Sequence, residues 1–181
     1  MNKIFSISFF VLIISIGIFQ YSRNIDINVN YERFNLVSSG VLRTPDERFA
    51  NLKDYDFEPN YLEIDGLRIH YLDEGPKNGE IIYLLHGEPA WSYLFRKMIP
   101  ILTDAGYRVI APDMVGFGKS DKYIDIDDYS HQMHVDTMSE LIRRLDLKNM
   151  TAHVHDWGGL VGLRVIAEES ERFSRVIASN T

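Results

Sequence analysis

The chain has 181 residues, 45% apolar and 25% charged, a balance that excludes a disordered chain, a collagen-like repeat or a coiled coil and suits one globular domain with its own core. Its 19 Lys and Arg against 26 Asp and Glu leave a formal charge of -7, so no basic stripe exists to neutralise phosphates and nucleic acid is not an expected partner. The absence of cysteine removes disulfides, thiolate metal sites, a thiol nucleophile and lipid-modified cysteine, and leaves the redox compartment open.

Residues 4–19 (IFSISFFVLIISIGIF) carry no charge. As a helix this run rises about 24 Å, or about 27 Å if carried on to Tyr21, against a hydrocarbon core of about 30 Å. Residues 1–23 therefore read either as a membrane anchor or as a signal peptide. The anchor would sit in the lipid bilayer through residues 4–21, with Tyr21 and Arg23 at the interface. The signal peptide gains a positive start at Lys3 but lacks a small-x-small exit at residues 20–23. A buried core helix fits poorly, because the segment is apolar all round and terminal. An anchor is expected to leave the bulk of the chain outside the cytoplasm; cleavage would release a secreted or periplasmic protein.

Residues 24–40 are polar with scattered apolar side chains and read as a connector. From residue 41 to 181 strand and helix signals alternate. Residues 61–65 and 67–72 alternate about Asp65-Gly66, a hairpin signal. Residues 81–85 (IIYLL) form a continuous apolar run, the mark of a strand buried on both faces. Residues 91–102 have helical character, with Leu94, Met98, Ile101 and Leu102 on one side and Pro100 as a kink. Residues 108–112 (RVIAP) are a second buried strand. A longer helix follows, capped by Asp128 or Ser130, with Val135, Met138, Ile142 and Leu145 as its inward stripe. Residues 150–155 are a third strand, 158–168 a helix, and 175–179 (RVIAS) a fourth strand. The alternation predicts an α/β fold: a mostly parallel sheet with helices on both faces and its chemistry along one sheet edge. The stop at Thr181, on a strand with no covering helix, reads as a truncation.

Three motifs could carry chemistry. Residues 154–159 (VHDWGG) run from strand to helix through a tight turn, the geometry of a nucleophile elbow with Asp156 at its apex. A carboxylate suits attack on sp³ carbon because it is ionised near its normal pKa of about 3.9 and needs no activating base. The competing reading is an ordinary Asp N-cap. Residues 86–89 (HGEP) follow a buried strand, where the backbone N–H of Glu88 could join that of Trp157 as an oxyanion hole; the competing reading is a Gly-Pro turn. Residues 116–121 (GFGKSD) fail as a P-loop, because position 113 is Asp, and read as a tight loop supporting the site. His153 and His155 lack the spacing of a metal site, and His131 and His134 read as a solvated helix face, so no metal is expected.

These blocks, with Arg43-Thr-Pro-Asp46, Arg48-Phe49, residues 71–75 (YLDEG), Trp91-Ser-Tyr93, residues 96–100 (RKMIP) and 109–113 (VIAPD), occur in an order that resembles the haloalkane dehalogenases of the α/β-hydrolase superfamily. The resemblance covers about residues 41–181 and is to the N-terminal part only. It implies a haloalkane substrate, Asp156 as the nucleophile forming an alkyl ester, Trp157 as a halide ligand through its indole N–H, and the Glu88 and Trp157 N–H groups as the oxyanion hole, with no cofactor. Glu88 also points away from epoxide hydrolases, which usually carry an aromatic residue there. The same resemblance places a helical cap with a second halide-binding Trp, a supporting acid and a base His later in the sequence, and Trp91 and Trp157 do not supply the cap position. Epoxide hydrolysis and a non-catalytic membrane-anchored remnant remain the competing readings.

Overall fold

The structure, a computed structural model, describes residues 35–181; the apolar run 4–21 and residues 24–34 of the expected connector lie outside that range. Among the described residues no helix is long and apolar enough to cross a membrane. The end of the expected connector is a strand: β1 (Asn35–Ser38) turns back at Gly40 into β2 (Val41–Arg43), which also pairs with β7 (Lys122–Tyr123). All four residues of β1 are exposed, so no burial pattern marks it in the sequence; backbone pairing with β2 alone makes it a strand.

The main sheet has six strands. The hairpin expected about Asp65-Gly66 joins β3 (Asn60–Ile64) to β4 (Leu67–Glu74), with both turn residues at positive φ, as a tight two-residue turn of this hand requires. The apolar runs form β5 (Ile81–Leu85), β6 (Arg108–Pro112), β8 (Met150–His155) and β9 (Phe173–Ser179). Their order is β3-β4-β6-β5-β8-β9, parallel from β6 to β9 and antiparallel at the β3–β4 and β4–β6 pairings.

Period-two alternation divides the core between the two faces of this sheet. Tyr83, Leu85, Ile110 and Val154 pack with Val135, Met138 and Ile142 of α2 (His131–Arg144) and Val161 and Val165 of α3 (Trp157–Glu168). Leu84, Val109 and Ala111 pack on the other face with Phe95 and with Ile99 of α1 (Met98–Asp104).

One expectation about the helices needs correction. Residues 91–102 are not one helix but a 3-10 turn, Ser92–Phe95, followed by α1. The break shifts the helical phase, so Phe95 and Ile99 face the sheet while Leu94, Met98 and Ile101 are 41%, 39% and 70% exposed. Pro100 lies in the first turn of α1, where its missing N–H has no helical partner to lose. At α2 the cap is Ser130, whose Oγ accepts the Met133 N–H at 3.0 Å; Asp128 ends a preceding 3-10 turn. Val135, Met138 and Ile142 point inward as expected, joined by Leu141, while Leu145 is the C-cap and only partly buried.

Candidate active site

Parallel pairing brings the C-terminal ends of β5, β6, β8 and β9 to one edge of the sheet. Between β8 and α3 stands Asp156 alone, at φ 54 and ψ -129. Such a conformation costs a non-glycine residue about 1–3 kcal/mol and persists only where the surroundings hold it. Here the Asp156 carbonyl accepts the Gly159 N–H at 2.7 Å and the Thr181 hydroxyl at 2.7 Å. The turn is sharp enough that a Cβ on Gly158 would overlap the carbonyl oxygens of Leu85 and His86.

The Asp156 side chain makes no capping bond to its own helix. Its Oδ1 instead accepts the backbone N–H of Glu88 at 2.9 Å, across 68 residues of sequence. The Trp157 N–H first, and the Glu88 N–H second, hold the carboxyl below the usual carboxylate range, against burial that raises it. Oδ1 is thus held by the Glu88 N–H, and neither oxygen has a side-chain partner among the described residues.

The Glu88 N–H is aimed by the loop that carries it. His86 is fully buried, and its Nε2 accepts the Met114 N–H at 3.0 Å. The proton must then sit on Nδ1, which donates to the Gly87 carbonyl at 2.9 Å. Burial holds this imidazole below its ordinary pKa and so keeps it neutral. Gly87 is obligatory for a steric reason: a Cβ there would run into the Asp156 carboxylate.

Behind the loop lies a buried carboxylate. Asp113 Oδ1 accepts the Ser92 N–H at 2.7 Å, and Oδ2 accepts from His70 Nδ1 at 2.8 Å and from the Lys119 N–H at 2.9 Å. Burial raises its pKa, but the hydrogen bond from His70 and the Ser92 N–H outweigh that and leave it lowered. Ser120 Oγ adds a bond to the Asp113 carbonyl at 2.7 Å. Residues 113–121 therefore form one hydrogen-bonded loop, and its Met114 N–H is the group that fixes His86.

Glu88 and Trp157 also flank a cleft of about 230 Å³, walled by Met114, Phe117, Tyr129 and Val161. His134 is half-buried on its wall, not on a solvated face as the sequence suggested; its ring centroid lies 6.5 Å from Phe117 and 6.2 Å from Tyr129. Burial chiefly lowers its pKa to about 4. The signal was available: position 134 falls four before Met138 and so on the inward stripe. His131 is exposed as expected, with Nε2 3.1 Å from the Leu160 carbonyl. His153 pairs through Nε2 with Ser179 Oγ at 3.0 Å, and Trp91 packs against Tyr55 and Tyr93.

Residues 80–181, which hold both the loop and the elbow, match the alpha/beta hydrolase fold family. The chain belongs to that family. This α/β-hydrolase is 58% identical over 146 residues to a haloalkane dehalogenase of Psychrobacter cryohalolentis, across 78% of this chain and 48% of the relative. A solved haloalkane dehalogenase from Paraglaciecola agarilytica aligns with a TM-score of 0.72 at 47% identity, across 75% of this chain and 47% of that one. An epoxide hydrolase from Vigna radiata aligns at 0.63 with 28% identity, across 70% and 40%. The α/β-hydrolase described here spans about half the length of the curated relatives it matches.

Proposed function

We propose that this α/β-hydrolase carries the carbon-attacking half of a haloalkane dehalogenase site. The free oxygen of Asp156 attacks the halogen-bearing carbon in line with the departing halide. A C–O bond forms as the C–halogen bond breaks, the halide leaves with the bonding pair, and an alkyl ester on Asp156 results. The Trp157 indole N–H is suited to receive the halide. Water then cleaves the ester to the alcohol, and the charge that develops on the ester oxygen falls to the N–H groups of Glu88 and Trp157. The base for that water is, by the same resemblance, a histidine later in the family's sequence than the region matched here.

The observation that supports this reading most is the 2.9 Å bond from the Glu88 N–H to Asp156 Oδ1. It joins the HGEP loop to the elbow in the arrangement that ester formation and ester cleavage both need. Incubation with 1-bromobutane is expected to put a butyl group on Asp156, mapped by peptide mass spectrometry, with an equal amount of bromide released. Asp156→Ala should abolish both. An adduct that persists in the Ala variant, or its absence from the parent, refutes the assignment; a diol formed from an epoxide in its place would favour the epoxide-hydrolase reading.

We also infer a membrane anchor in residues 4–21, supported by their uncharged run, with the hydrolase outside the cytoplasm. The protein should stay in the membrane pellet through a carbonate wash. A soluble product beginning near Gln20 would point to a cleaved signal peptide.

A further inference from the structure

The Glu88 N–H is the last donor in a longer line of hydrogen bonds. The line starts on β4, where the His70 N–H donates to Ser120 Oγ at 2.9 Å. The Ser120 hydroxyl in turn donates to the Asp113 carbonyl at 2.7 Å. That peptide unit also carries the Met114 N–H, which donates to His86 Nε2 at 3.0 Å. Across the ring, Nδ1 donates to the Gly87 carbonyl at 2.9 Å. The Gly87 peptide unit carries the Glu88 N–H, whose nitrogen lies 2.9 Å from Asp156 Oδ1. All the donors run one way, from β4 to the elbow after β8, three strands along the sheet. His70, Asp113, Ser120 and His86 are fully buried, so water does not compete for the intervening bonds.

We propose that Ser120 is a remote positioning residue for Asp156. Through the Met114 peptide unit and His86, it holds the Glu88 N–H on the carboxylate. The inference rests on the dehalogenase reading for what that N–H later does, but the line can be followed without any reaction. Two effects travel along such a line, polarisation and placement. Polarisation strengthens each next bond by roughly 10–30%, so little of it survives the passage from Ser120 to Glu88. Placement is transmitted without that loss, because each peptide unit is planar and stiff, as is the imidazole. Moving the Asp113 carbonyl therefore moves the Met114 N–H, and with it the ring that sets the Gly87 carbonyl. Among the described residues Ser120 makes no hydrogen bond of its own to residues 86–89, so its route to Glu88 runs through His86.

The test follows the Glu88 amide by NMR in the whole chain at neutral pH, with no substrate present. Two variants break the line at different links: Ser120→Ala removes the hydroxyl, and His86→Asn removes the Nε2 acceptor. Each should shift the Glu88 amide proton upfield and speed its exchange with water. The expected increase is about threefold for Ser120→Ala and about tenfold for His86→Asn, the span that one hydrogen bond covers. The Ile110 amide in β6 is the reference, because a merely structural loss lowers the urea midpoint and quickens exchange without singling out Glu88. Butylation of Asp156 by 1-bromobutane should slow in the same order. A Glu88 amide that is unchanged in Ser120→Ala, or that quickens only in step with Ile110, overturns the inference. So does butylation at the parental rate in both variants. Ser120→Ala adds no atoms, and it carries the decision if His86→Asn does not fold. The two readings fail separately. Absence of a butyl group on Asp156 of the parent refutes the reaction and spares the line, whereas a normal adduct beside a Glu88 amide indifferent to Ser120→Ala does the reverse.

Discussion

A carboxylate that attacks carbon must be ionised, must keep one oxygen free and must stand clear of the helix it precedes. At Asp156 the backbone meets all three demands. The Trp157 and Glu88 N–H groups favour the charged form, the Glu88 bond takes one oxygen, and positive φ turns the side chain away from a capping position. The close approach that makes this possible occurs at Gly87, where a methyl group would displace the carboxylate. Gly87→Ala is therefore expected to slow Asp156 alkylation about a hundredfold, the usual result of moving a reacting group by about 1 Å. The check is the rate of adduct formation beside a urea melt, since the loss of rate should far exceed the loss of stability. The D-W-G-G motif showed Asp156 as a candidate, but a cap and a nucleophile share that motif. The bond from Glu88 is what supports the nucleophile reading over the cap, and it joins residues far apart in the chain.

The elements are held in place by a few buried charges. Asp121 is fully buried and receives Nε and Nη2 of Arg43 at 2.7 and 2.8 Å, and the Arg68 N–H at 2.8 Å. One carboxylate thus ties β2 of the small sheet to β4 of the large one. Asp121→Ala leaves the Arg43 guanidinium without its partner and should cost about 3 kcal/mol, read from the urea midpoint. A cost under about 0.5 kcal/mol would mean the pair behaves as a surface salt bridge. Local signals were sufficient for β3 to β6, β8 and α2, whose apolar periodicity matches their burial. They failed for β1, which buries nothing, and for residues 91–102, where a break before α1 rotates the stripe by enough to exchange Ile99 for Ile101.

Across the whole molecule, buried histidines couple stability to pH. His86 and His134 are both lowered from 6.5, mainly by burial. The unfolded chain binds protons at these positions below about 6.5, whereas the folded chain does not until lower pH, so the unfolded state gains as pH falls. Stability should be full above about 6.5 and decline toward about 4, where His134 titrates in the folded state. Asp113, a carboxyl lowered in the folded state, adds a further loss below its unfolded value of about 3.9. Urea unfolding at about pH 7.5, 5.5 and 4.5 should show the decline, and His134→Phe should flatten it. A free energy independent of pH over that range would contradict the burial of both imidazoles.

The sequence by itself determined the α/β alternation, the strand-turn-helix at Asp156 and the run of blocks that marks the family, because these are written in local periodicity and in short motifs. What the tertiary structure decided was which contacts each motif makes. The Glu88 N–H reaches Asp156, Met114 fixes the tautomer of His86, and His134 leaves solvent for the cleft wall. Each is a contact between residues brought together by parallel strand pairing, and such distances are set by the order of strands in the sheet, which no local pattern contains.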